Sequence, residues 1–136
     1  MRLGLLLPPG TRTLSWFGST AAECEKNLED TNLGLFFPIK GYYLNGYFPT
    51  KLGEFLSNGI PIITCSINQD VDEIINENNV GFIIKNFENT EFEKIYKKII
   101  EIINSKRIDE KCMNVANKYF DVNNAVDIYN KIYRDL

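Results

Sequence analysis

Apolar residues fall along this chain in two rhythms. "LGLFF" (Leu33 to Phe37) and "IPIIT" from Ile60 are continuous apolar runs of strand length, as expected of strands covered on both faces. "TRTLSWF" (Thr11 to Phe17) alternates loosely and predicts a further strand, and "FII" from Phe82 a short one. Between and after them, apolar residues recur every three or four positions, the spacing of a helix with one buried face. Thr50 to Asn58 places Leu52, Phe55 and Leu56 inward, with Gly59 at the position where a left-handed residue ends a helix. Asp70 to about Glu77 turns Val71, Ile74 and Ile75 inward. A capping box, Thr90 with Glu93, starts a helix whose stripe is Phe92, Ile95, Ile99 and Ile102. Two more helices carry Ile108, Cys112, Val115 and Tyr119, then Ala125, Ile128, Ile132 and Leu136, the last capped near Asp121. Ser19 or Thr20 can cap a short helix running to about Asp30.

Strands therefore alternate with helices. The expected fold class is α/β: a Rossmann-like parallel sheet with helices on both faces and a helical C-terminal tail. In such sheets ligands bind beyond the carboxyl ends of the strands, in loops leading to helices. Two loops qualify, Gly18 to Thr20 and the proline- and glycine-marked "PIKGYYLNGYF".

Composition narrows the chemistry. The 136 residues are 44% hydrophobic, enough for one core, and the net charge of -3 is spread along the chain. Nothing electrostatic points to nucleic acid or to an anionic membrane as main partner. No apolar run is long enough to span a bilayer. There is no histidine, so histidine-based triads, dyads and metal sites are excluded within these residues. Cys24, Cys65 and Cys112 are odd in number and widely spaced, which suits buried thiols in a reducing compartment. Residues 1–25 contain no Asn, Ile or Lys, whereas residues 26–136 contain 16, 17 and 11 of them. The start is accordingly expected to be foreign or the edge of a gene fragment, with residues 1–11 disordered or non-native.

The most informative stretch is "GYFPTKLGEFLSNGI" at 46–60. A helix start offers N–H groups to anions, and Lys51 adds a point charge suited to phosphate. Glu54, at i+3, shares roughly the same face. A phosphate site one turn from a carboxylate that can accept from sugar hydroxyls suits a nucleotide. The plain alternative is a surface ion pair between Lys51 and Glu54, with Thr50 as an ordinary cap. Elsewhere, Asp70, Asp72 and Glu73 could form an acidic cluster, but at a helix start they complement the dipole. Tyr42, Tyr43, Tyr47 and Phe48 could stack on a ligand or face another domain. Trp16, Tyr119, Tyr129 and Tyr133 read as packing residues, and Asn76, Asn78 and Asn79 as turn residues.

"FPTKLGEFLSNGIPIIT" followed by "DVDEIINENNVGFII" resembles the donor-binding half of GT-B fold, nucleotide-sugar-dependent glycosyltransferases (group 1 type). The family signature has the form "SPTKLGEYLACGIPVI…GDVDEIIEENNVG". "YFDVNNAVDIYNKIY" is similar to that family's C-terminal helix, and the segment from Leu14 to Ile39 fits more loosely. The resemblance implies a partial donor-binding domain over residues 1–136, belonging to a retaining enzyme that moves a sugar from a nucleotide diphosphate to a glycan, lipid or other acceptor. It implies that Glu54 holds the ribose and that Gly46, Tyr47, Pro49, Thr50 and Lys51 lie against the diphosphate and donor sugar. Phe17, Gly18 and Ser19 would contact the base. The family's first motif glutamate is replaced by Gly46, its serine by Phe48 and a glycine by Gln69. The implied partners are the nucleotide-sugar and an N-terminal acceptor domain of the same protein, with self-association through surfaces that domain would cover. No cofactor or metal is implied, and the location would be cytoplasmic, peripheral to the membrane in the full-length protein. A non-catalytic nucleotide-binding or interaction module of doubly wound type is the competing expectation.

Overall fold

The computed structural model describes residues 13–15, 28, 31–38, 41–85 and 92–135. Four parallel strands lie side by side in chain order: β1 (Thr13–Ser15), β2 (Leu33–Phe36), β3 (Ile62–Cys65) and β4 (Gly81–Ile84). The register aligns Thr13 with Leu33, Gly34 with Ile62 and Ile62 with Gly81. The connections are a 3-10 helix (Tyr42–Gly46) with α1 (Thr50–Ser57), then α2 (Gln69–Asn78). After β4 come α3 (Phe92–Ile103), α4 (Ile108–Tyr119) and α5 (Val122–Arg134). The α/β class with a helical tail is as expected.

The two-residue period of a strand divides the core. Ile62 and Ile83 point to one face, where they meet Leu52, Phe55 and Leu56 of α1, Val71, Ile74 and Ile75 of α2, and Cys112, Val115 and Ala116 of α4. Leu33, Ile63 and Ile84 point to the other, onto Ile95 and Ile99 of α3. Helices thus cover both faces. Leu52, Phe55 and Leu56 are fully buried, each stabilising the fold by about 1.5–3 kcal/mol relative to exposure. Gly59 ends α1 at φ +73°, a left-handed conformation that glycine adopts without Cβ strain.

Local details differ from the sequence expectation in instructive ways. α2 starts at Gln69, one residue early, because the Asn68 side chain accepts from Val71 N–H and caps it. It continues to Asn78, so of the three asparagines expected in a turn only Asn79 takes it, at φ 52°. α1 is capped by Pro49 without a side-chain hydrogen bond, so Thr50 is its first helical residue and not its cap. Thr90 lies outside the described residues, as do Trp16 and Cys24.

The largest correction concerns α5. Its stripe was expected to pack, yet the helix has no buried residue. Tyr129 is 62% exposed, Tyr133 72%, Ile128 58% and Ile132 51%. Helical periodicity identifies which face is apolar but not whether a partner covers it. Tyr119, by contrast, is half-buried against the core as expected.

Candidate functional site

The site expected from the sequence lies at the carboxyl ends of β2 and β3. Chain leaving β2 passes through the 3-10 turn, Tyr47, Phe48 and Pro49 into α1. Pro49 is buried, and its fixed φ preorganises the helix entry. The first turn of α1 contains no acidic residue, so nothing on the helix itself neutralises the positive end of its dipole there. Lys51 and Glu54 face one another across one turn. Lys51 Nζ lies 3.1 Å from Glu54 Oε2 and 3.4 Å from Oε1. The two side chains are 29% and 44% exposed, so the pair is partly solvated. Such a pair contributes less than about 1 kcal/mol, and its partners can be exchanged at small cost.

Thr50, Gly53, Glu54 and Ser57 form one face of α1 and one wall of an open cleft of about 500 Å³. The opposite wall is Asn117, Phe120 and Asp121, where α4 hands over to α5. The helices approach closely because residue 53 is glycine: a Cβ built there would lie 2.6 Å from the Phe120 ring. Phe120 is itself stacked on Phe48 with ring centroids 4.8 Å apart. The cleft thus offers one aromatic face, two carboxylates, an amide and two hydroxyls, groups that suit the hydroxyls and apolar faces of a sugar.

Of the six residues expected around the donor, Thr50 and Glu54 line this cleft, and Lys51 is held on Glu54. Pro49 lies beneath the helix start, while Gly46 and Tyr47 close the 3-10 turn before it. Among the described residues no atom beyond the chain neighbours meets a Cβ built on Gly46 within 4 Å, and the position is exposed. Phe17, Gly18 and Ser19 lie outside the described residues. Tyr42 and Tyr43 are exposed on the turn, and Tyr43 meets Tyr47 edge to face.

The acidic cluster separates on inspection. Asp72 accepts from Ser66 Oγ at 2.6 Å and from Ile67 N–H at 3.1 Å, bracing the β3–α2 loop. Glu73 accepts from Gln69 Nε2. Among the described residues no cluster of three or more His, Cys, Asp or Glu could hold a metal ion. Cys65 and Cys112 are buried thiols. Burial, with the Asp109 carboxylate adding to it and Lys111 opposing, pushes the Cys112 thiol up to about 12, so it is no nucleophile at neutral pH.

Sequence reasoning passed over Asn117, Phe120 and Asp121 as site residues, which reach the cleft from the junction of α4 and α5, 60 or more residues beyond Ser57. No local pattern announces that approach, although a glycine inside the helical "TKLGEFLS" hints that something crosses there. It also passed over Asn68, whose signal was available as an Asn just before a periodic apolar helix.

Among the described residues no helix is long and apolar enough to cross a membrane. No curated protein and no solved structure matches the chain significantly. One family model does, over residues 19–127 and hence most of the chain: "Glucosyltransferase 3-like, C-terminal domain". The chain belongs to that family and is a glycosyltransferase-related domain.

Proposed function

We propose that this domain binds the nucleotide diphosphate-sugar donor of a GT-B type, group 1-like glycosyltransferase. The supporting observation is the partly exposed Lys51–Glu54 pair, which runs from the first turn of α1 to the next, beyond the carboxyl end of β2. An incoming diphosphate takes Lys51 as counter-charge together with the helix start, and frees Glu54 to accept from ribose hydroxyls. Exchange of the partly solvated Lys51–Glu54 contact for a ligand costs little, whereas a charge-assisted hydrogen bond to phosphate contributes about 1.5–3 kcal/mol. Fixed positive charge at the diphosphate then stabilises the leaving group of sugar transfer, with retention of anomeric configuration. The nucleotide-sugar is substrate, and the chemistry proposed needs no resident cofactor or metal. The domain would act in the cytoplasm.

The family description names a C-terminal domain, so the acceptor is proposed to be held by an N-terminal portion of the same protein. The exposed apolar face of α5 suits contact with that portion. In the isolated chain the same face would drive self-association. The isolated chain is expected to be inactive, and sugar transfer by these 136 residues alone would contradict a two-domain site.

Calorimetric titration with uridine, guanosine and adenosine diphosphates tests the donor site. Binding of one of them by the wild type, lost in Glu54→Ala, supports the ribose role. Equal affinity in Glu54→Ala removes it.

A further inference from the structure

The side-chain amide of Asn68 performs two tasks at once. Its Oδ1 accepts from Val71 N–H at 3.0 Å and starts α2. Its Nδ2 donates to the carbonyls of Leu44 at 2.8 Å and Tyr47 at 2.7 Å, residues 24 and 21 positions earlier. Turning the amide over would set its oxygen against two carbonyl oxygens and its NH2 against an N–H, so only one orientation satisfies all three bonds. The carrier of this amide is itself held: Asp72 ties Ser66 Oγ and Ile67 N–H, and Asp72 N–H donates to Asn68 O at 3.0 Å. Leu44 and Tyr47 lie on the 3-10 turn that leads directly into Phe48, Pro49 and α1. Within that turn the backbone bonds are short-range, Leu44 N–H to Gly41 O and Tyr47 N–H to Leu44 O.

We propose that Asn68 is a positioning residue for the donor site: a latch, anchored in the β3–α2 loop, that sets where the β2–α1 loop sits and hence where Lys51 and Glu54 point. This rests on the donor-binding role proposed above for those two residues. A rigid supporting contact matters because a displacement of about 1 Å at a binding constellation weakens it strongly.

Two variants separate the latch from the helix cap. Asn68→Asp keeps an oxygen for Val71 N–H but sets a second oxygen against the two carbonyls. Asn68→Ser keeps a good cap and is too short to reach them. In both, amide exchange at residues 42–51 should quicken about tenfold or more. Affinity for the preferred nucleoside diphosphate should fall about tenfold. Wild-type exchange at residues 42–51 in both variants overturns the latch. Faster exchange with unchanged affinity overturns the positioning role. A wild-type chain that binds none of the three diphosphates counts against the donor site itself, and the exchange experiment still decides the latch.

Discussion

Replacing Gly53 by alanine sets two opposing effects against each other. Gly53 occupies the middle of α1, where glycine costs about 0.8–1.0 kcal/mol relative to alanine through backbone entropy. A solvent-exposed site would therefore gain that much from Gly53→Ala. Here the added methyl would meet Phe120 at 2.6 Å from Cδ1, 3.0 Å from Cγ and 3.2 Å from Cβ. Contact near the root of the side chain cannot be relieved by swinging the ring tip, and Phe48 stacks on the same ring. Overpacking of this kind costs about 1–3 kcal/mol, with roughly 0.5–1.5 kcal/mol more if the aromatic stack is broken. The clash wins: Gly53→Ala should be destabilised by about 0.5–3 kcal/mol in urea unfolding. In a Phe120→Ala background the clash is gone, and Gly53→Ala should then stabilise by about 0.5–1 kcal/mol. A stabilising effect of Gly53→Ala in the intact protein would refute the close approach of α1 and α4. So would the same effect in both backgrounds.

Other consequences can be checked as directly. The Cys112 thiol is raised from its ordinary 9.0 to about 12, chiefly by burial. Folding therefore favours the protonated thiol; its contribution is full below pH 9 and is lost as pH climbs from 9 towards 12. Chemical denaturation across that window should show wild-type stability falling more steeply than that of Cys112→Ala, and parallel slopes would contradict the burial argument. Ile132→Lys should change stability by less than about 0.5 kcal/mol, because α5 has no buried residue and Ile132 is more than half exposed. Sedimentation velocity should show the same variant reducing self-association, and undiminished association would exclude the α5 face. Ile99→Ala, within the core on the α3 side, should cost about 2–5 kcal/mol, measured by urea unfolding.

The elements closest to the sheet were legible because local pattern and tertiary role agree. "IPIIT" and "LGLFF" are apolar on both faces, and the structure covers both faces. Gly59 is where a left-handed residue ends the helix, and it has φ +73°. Legibility failed where the deciding contact is long-range. The cap of α2 is Asn68, two residues before the expected start, and its second role depends on carbonyls more than 20 residues away. Asn117, Phe120 and Asp121 reach the cleft only because α4 crosses α1 at a glycine. The α5 stripe failed for another reason: a sequence displays an amphipathic face without saying what lies opposite. The motif itself was read correctly as a helix with Lys51 and Glu54 on one face, and their 3.1 Å contact is the one the plain ion-pair alternative expects, whereas the donor reading requires a ligand to displace it. Only ligand binding separates them.

The most direct measurement is therefore the amide spectrum of the 15N-labelled chain during titration with a nucleoside diphosphate. The largest shifts are expected at residues 46–54, through the 3-10 turn exit and the first turn of α1, and these shifts should vanish in Glu54→Ala. Titration of the preferred diphosphate with no change at residues 46–54, or with shifts that persist in Glu54→Ala, would contradict a donor site built on the Lys51–Glu54 pair.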